Sequence, residues 1–315
     1  VMTYQDVQTA AQRVAGHIRP VALAPVDPGA WGAAEGWLAL EYLQHTGSFK
    51  ARGAFNFISS HVAAGAMPDA GVVIASGGNA GLACAWAAAR HSAPAAVFVP
   101  ETAPAVKVDR LRRLGADVHQ VGTEYADALA ASEEYAAETG ALRSHAYDHP
   151  LIAAGAGTLM EEVLAVRPDL DTVVVAVGGG GLFSGVAASA LEHGVGVVAV
   201  EPRGSRALNA ALEAGAVVDV PVDSVAADSL GARQVSSTAL EWARRDGVRS
   251  VLVSDEEIVA ARQALWDDRR IAVEHAAATA LAAVTSGAHR PRPGEKVAVV
   301  LCGANTDPAD LAHRR

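Results

Sequence analysis

The chain predicts an α/β architecture with mostly parallel sheets and right-handed crossovers, folded as two interleaved domains. Three observations carry this. Short β-branched runs alternate with Ala- and Leu-rich helical runs along most of the sequence. The run Thr172 to Val177 is almost pure valine, as a parallel strand covered on both faces requires. The length, 315 residues, suits about two domains, yet no linker, internal repeat or low-complexity tract separates them.

The elements follow in order. Phe55 to Ser60 reads as a short helical run behind a polar turn. Val72 to Ala75 is a strand, Gly77-Gly78 a turn, and Ala80 to Arg90 a helix. Ala95 to Val99 is the next strand. Pro104 suits a helix start, and Val106 to Leu114 continues that helix to Gly115. Val118 to Val121 is a strand and Tyr125 to Glu138 a helix. The valine strand runs into four glycines and a helix, and Val195 to Val200 forms another strand. After the strand Val251 to Val253, Ser254-Asp255-Glu256-Glu257 is a capping box that opens a helix to about Arg269. Gly287 to Gly294 is a surface loop, and Lys296 to Leu301 is the final strand. Val72 to Ala89 and Thr172 to Leu191 are free of charge for long enough to suggest membrane spans. Glycine runs interrupt both, so strand, turn and helix explain them better.

Composition narrows the function. Hydrophobic residues make up 51% and charged residues 19%, which is globular rather than disordered. The formal charge of −10, with no basic run, argues against nucleic-acid and anionic-membrane partners. Two distant cysteines, Cys84 and Cys302, form no zinc motif or disulfide framework and suit a reducing cytoplasm. The first residues show no signal-peptide pattern. His145 and His149 lie four residues apart, but Pro150 argues against a helix pairing them as metal ligands.

Four segments can carry chemistry. Lys50, after the turn Gln44 to Phe49, is either a solvated surface residue or a Schiff-base lysine held near a helix start and partly desolvated. Ser76-Gly77-Gly78-Asn79-Ala80-Gly81 joins strand to helix. It is either a tight turn capped by Asn79 or an anion loop for a carboxylate or phosphate. Gly178-Gly179-Gly180-Gly181-Leu182 suits a phosphate nest. The dinucleotide fingerprint fails there, because Phe183 or Ser184 stands where a third small residue is needed, and no P-loop lysine follows. Leu301-Cys302-Gly303-Ala304-Asn305 ends the last strand, where α/β sheets bind ligands; the plain alternative for Cys302 is a small buried hydrophobe. Together these offer an amine for an imine, a nest for a phosphate, a loop for a carboxylate and a weak partner for a ring nitrogen. Pyridoxal phosphate with an amino-acid substrate requires that set.

At these residues the chain resembles the fold-type II pyridoxal-phosphate enzymes, in particular the serine/threonine dehydratase (ammonia-lyase) and serine racemase group. The likeness spans roughly Tyr4 to Thr306. It rests on HisThrGlySerPheLysAlaArgGlyAla at 45–54, SerGlyGlyAsnAlaGly at 76–81, GlyGlyGlyGlyLeu at 178–182, ValGluPro at 200–202, AlaAspSerLeuGly at 227–231 and LeuCysGly at 301–303. The resemblance implies a large cofactor-binding domain from residues 1–46 and 144–315, and a small substrate-binding domain from 47–143. It implies that Lys50 holds the cofactor, with Phe49 and Ser229 on the two ring faces. Asn79 would bond the ring hydroxyl, Gly178 to Gly181 and Leu182 would cradle the phosphate, and Cys302 would face the pyridine nitrogen. Ser76, Gly77 and Asn79 would take the substrate carboxylate. A homodimer is implied as well.

A neutral thiol at Cys302 would leave the ring a weaker electron sink, which favours rapid loss of a β-leaving group. The implied reaction is conversion of L-serine or L-threonine to a 2-oxo acid and ammonia. The alternative is another β-substituted amino acid, such as threo-3-hydroxyaspartate or a β-aryl serine, since Gly77 and Ala80 would leave room. Racemisation is disfavoured, because Gly77 replaces the serine of the racemase branch. Gly77, Ala80 and Cys302 together look closest to the short serine dehydratases. Glu201 matches one metal ligand of the racemases, but Ala207 stands at the Asp position. That favours a monovalent cation such as potassium over magnesium, the alternative being that Glu201 pairs with a nearby arginine. The chain ends soon after its last strand, so no regulatory domain is expected.

Overall fold

The computed structural model describes residues 2–312. Two parallel sheets organise them, and the chain passes between the two. It opens with α1 (Tyr4–Val14), then β1 (Leu23–Pro25), β2 (Glu35–Ala39) and two single 3-10 turns, Glu41–Leu43 and His45–Gly47. The middle of the chain builds α2 (Lys50–Ala63), β3 (Val72–Ala75), α3 (Asn79–Arg90), β4 (Ala95–Val99), α4 (Ala105–Arg113), β5 (Asp117–Gln120), α5 (Tyr125–Thr139) and β6 (Leu142–Arg143). The remainder is α6 (Pro150–Val166), β7 (Thr172–Ala176), α7 (Gly181–Glu192), β8 (Gly196–Pro202), α8 (Ala207–Ala214), α9 (Ala227–Leu230), α10 (Ser237–Ala243), β9 (Val248–Val253), α11 (Asp255–Arg269), α12 (His275–Thr285), β10 (Lys296–Val300) and α13 (Ala309–Ala312).

The larger sheet has the order β1-β2-β10-β7-β8-β9 and is parallel except for the β1–β2 edge. The smaller sheet, β5-β4-β3-β6, is wholly parallel. Strands from both ends of the chain form the larger sheet, and the middle forms the smaller, so the two domains are interleaved. Every residue of β7 is buried, as its valines require, and so is every residue of β3 and β4. No described helix is long and apolar enough to cross a membrane.

Several expected boundaries move. The helix expected from Phe55 begins at Lys50 itself, so the lysine occupies the first helical position. Pro150 opens α6 at its first turn, and His149 caps it by accepting from the Leu151 N–H at 3.1 Å. No helix therefore joins His145 to His149. Strands β1, β2 and β6 and the helices α1, α6, α8, α9, α10, α12 and α13 answer to no pattern read from the sequence.

Helix α2 is fixed from two sides. A Cβ on Gly53 would stand 2.6 Å from the Ile152 carbonyl, and one on Gly155 would stand 2.7 Å from the Arg52 carbonyl, so glycine allows α2 and α6 to touch. Arg52, fully buried, donates from Nε to Glu41 at 2.6 Å and from its terminal nitrogens to Glu41 and Glu162 at 2.9 Å. One guanidinium thereby ties the lysine helix to the first 3-10 turn and to α6. Bidentate geometry offsets the cost of burying these charges.

Candidate functional site

The site lies where the C-terminal ends of strands from both sheets face each other. Its first wall is the segment before α2. The Phe49 N–H donates to the Cys302 carbonyl at 2.9 Å, and Ser48 bridges to Gly303. The turn preceding Lys50 is thus stitched to the end of β10. Lys50 Nζ donates to the Ala146 carbonyl at 2.6 Å and lies 4.9 Å from the Phe49 ring centre. Burial lowers its pKa from 10.5 to about 8, against opposing contributions from Cys302 and Glu274. Its place at a helix N-terminus disfavours the cation further. The amine is therefore readily available as a neutral nucleophile or base.

Asn79 starts α3, and its Nδ2 donates to both oxygens of Glu274, at 2.9 and 3.1 Å. Ser229, on the one-turn helix α9, donates to Glu274 Oε2 at 2.7 Å. The Asn305 N–H donates to Glu274 Oε1 at 2.8 Å. The Gly303 Cα is close as well, since a Cβ there would meet that oxygen at 3.0 Å. Glu274 is thus the hub that joins Asn79, Ser229 and the strand end carrying Cys302. The sequence did not single it out. It caps α12, but its side chain makes no capping bond and turns into the site instead. The Cys302 thiol is pushed up to about 12 by burial and by Glu274, so it is neutral.

The glycine loop follows β7. A Cβ on Gly178 would meet Leu230 Cα at 3.1 Å and the Ser229 carbonyl at 3.3 Å, which places the loop directly against the Ser229 segment. A Cβ on Gly179 would stand 2.3 Å from the Tyr147 ring, and one on Gly181 2.8 Å from the Tyr147 carbonyl. Gly180, with φ +94°, takes a left-handed conformation that favours glycine. The N–H groups of Gly178, Gly179 and Gly180 donate to no group among the described residues. With the first N–H groups of α7, including Leu182, they form an anion-binding concavity.

Ser76 and Gly77 lie in the turn between β3 and α3, with the Gly78 N–H donating to Ser76 Oγ at 3.3 Å. The space expected beside Gly77 is partly filled: Val99 Cγ1 would lie 3.2 Å from a Cβ there. Glu201 stands apart from the Glu274 cluster, at the end of β8. Its oxygens accept from the N–H groups of Leu208 and Asn209, at 2.7 and 2.8 Å, at the start of α8. It forms no close arginine ion pair among the described residues; Arg206, which pairs with Glu213, acts on it only at longer range. Burial raises its pKa to about 8. No cluster of three or more His, Cys, Asp or Glu that could hold a metal occurs among the described residues.

The arrangement fits pyridoxal phosphate on its own observations. A half-buried amine of lowered pKa can accept an aldehyde, a glycine cradle with unbonded N–H groups can accept a phosphate, and a neutral thiol at the strand end can face a pyridine nitrogen.

Comparison with known proteins finds relatives along most of the chain. The serine dehydratase-like protein of Homo sapiens is 39% identical over 281 residues, covering 85% of this chain and 84% of that protein. The phenylserine dehydratase of Ralstonia pickettii is 37% identical, covering 87% and 83%. The structure of maize serine racemase superposes with a TM-score of 0.91 at 28% identity, covering 99% of this chain and 96% of that one. The family model described as pyridoxal-phosphate dependent enzyme matches residues 14–303, and to that family this chain belongs.

Proposed function

We propose that the protein deaminates a 3-hydroxy amino acid, L-serine or L-threonine: water is lost across Cα and Cβ, and one water is taken up again as ammonia is released, leaving a 2-oxo acid. The observation that carries this is the half-buried Lys50, whose amine donates to the Ala146 carbonyl and has its pKa lowered to about 8, beside the Glu274 hub and the glycine cradle. When bound, pyridoxal phosphate supplies an electron-withdrawing ring that acidifies the substrate Cα–H. The chain's own residues do the rest. Ser76, Gly77 and Asn79 hold the carboxylate at the start of α3. Lys50, about half of it neutral at pH 8, takes the Cα proton as general base. Cys302 stays a thiol and would not hold a proton on the ring nitrogen of a bound cofactor, which would favour early departure of the β-hydroxyl. Phe49 and Ser229 confine the ring. Gly77 offers no hydroxyl to return a proton from the opposite face, so elimination is favoured over racemisation.

A second reading, elimination from a larger substrate such as threo-3-hydroxyaspartate or a β-aryl serine, is supported by the identity to the phenylserine dehydratase. Val99 over Gly77 weighs against it. A monovalent cation such as potassium at Glu201 belongs to this proposal too, since its charge would compensate a carboxylate only 1% exposed. A homodimer and a reducing cytoplasmic setting complete it, the latter supported by two free, buried cysteines. The test is Lys50→Ala: loss of 2-oxo acid formation with an unchanged circular dichroism spectrum is expected, and near-normal turnover would overturn the reading.

A further inference from the structure

Arg110 lies on α4, on the smaller sheet's side, anchored by the buried neighbours Val108 and Leu111. It reaches across to the larger sheet's side and donates from Nη2 to Asn305 Oδ1 at 2.6 Å. Asn305 Nδ2 in turn donates to the Thr46 carbonyl at 2.7 Å and to Asn79 Oδ1 at 2.6 Å. Asn79 Nδ2 then donates to the Glu274 carboxylate. The close approach of Asn305 needs Gly47, where a Cβ would stand 2.8 Å from Asn305 Oδ1.

This is a chain of oriented amides with a fixed polarity. Guanidinium can only donate, and carboxylate can only accept. Arg110 and the Thr46 carbonyl together fix the amide of Asn305, its oxygen toward the guanidinium and its nitrogen toward Thr46 and Asn79. That in turn presents the Asn79 nitrogen to Glu274. Among the described residues Arg110 has no carboxylate partner, so the charge-assisted bond to Asn305 is its principal anchor. Lys107, one turn earlier on α4, reaches Asp228 at 3.1 Å, but that pair is exposed and contributes little.

We propose that Arg110 is a positioning residue, which sets the amide orientation of Asn305 and Asn79 and so completes the site only when α4 is docked. The inference rests on the reading of Asn79 as a cofactor- and substrate-facing residue. The test is a polarity series at Arg110 together with Asn305→Asp. Three quantities are read: the Kd of the cofactor-free chain for pyridoxal phosphate, the melting midpoint, and KM against kcat for L-serine and L-threonine. Arg110→Lys keeps a donor-only group, and its cofactor Kd is expected to stay within about threefold of wild type, as a retained charge-assisted bond implies. Arg110→Glu and Arg110→Met should weaken cofactor binding about tenfold or more and raise KM; the methionine variant serves if the glutamate one fails to fold. Asn305→Asp strengthens the link to Arg110 yet can donate to neither Asn79 nor Thr46, so it should lose cofactor affinity even though the Arg110 contact is kept. The proposal is overturned if Arg110→Met binds cofactor as wild type does, if Arg110→Lys is as impaired as Arg110→Met, or if Asn305→Asp keeps full affinity. Failure of the wild-type chain to turn over either substrate would refute the functional reading alone, because the cofactor-affinity series stands without it.

Discussion

The pKa of Lys50 is the property from which most of the chemistry follows, and it can be measured directly. Covalent uptake of pyridoxal phosphate needs the neutral amine. With a pKa of about 8, roughly half of the Lys50 side chains are neutral at pH 8; at the ordinary lysine value of 10.5 only about 0.3% would be. The structure therefore predicts a reactive fraction about 150-fold larger than an exposed lysine would offer. The assay is the rate at which the visible cofactor band appears when the cofactor-free chain is mixed with pyridoxal phosphate across a pH series. The rate should rise with pH and level off with a midpoint near 8. Glu274 opposes the lowering, so Glu274→Gln should move the midpoint further down. The sign for stability is also determined: the folded pKa is depressed, so the cofactor-free chain loses stability as pH falls from 10.5 through about 8, and Lys50→Met removes that dependence. A midpoint near 10 would refute the claim that burial activates this amine.

Further expectations follow from the same contacts. Gly179→Ala drives a methyl into the Tyr147 ring at 2.3 Å, so it should weaken cofactor binding more than it lowers the melting midpoint, as read by absorbance titration and calorimetry. Arg52→Met leaves the buried Glu41 carboxylate without its partner and should cost about 3–5 kcal/mol in denaturant unfolding, while Lys107→Ala should cost less than about 1 kcal/mol. Replacing potassium by a bulky organic cation should lower turnover if a cation sits at Glu201, and Glu201→Gln should abolish that response; equal rates in both salts would dismiss the cation.

Much of this was legible in the sequence, for reasons that differ between elements. The all-buried strand β7 declared itself because parallel strands covered on both faces tolerate only apolar residues. The capping box at Ser254 to Glu257 opens α11 as read, because its reciprocal bonds are local. Lys50, Asn79, Ser229 and Cys302 were singled out by their motifs, and the structure gathers them around one carboxylate. That carboxylate was invisible. Glu274 precedes an alanine-rich helix and looks like an ordinary helix cap; only the approach of three distant segments makes it a hub. The edge strand β1 was missed because three residues ending in proline carry no alternation. Helix α12 was missed because a buried helix of alanines lacks a polar face to mark its period. Arg110 was unmarked for a similar reason: its partner Asn305 lies on the other sheet's side.

The most direct test of the account follows the visible absorbance of the purified, cofactor-loaded protein on addition of L-serine, L-threonine and threo-3-hydroxyaspartate, with 2-oxo acid assayed in the same cuvette. The cofactor band is expected to shift with L-serine or L-threonine, and the protein to release the corresponding oxo acid. A protein that takes up no pyridoxal phosphate, or one whose band never moves and that forms no oxo acid from either amino acid, would contradict it.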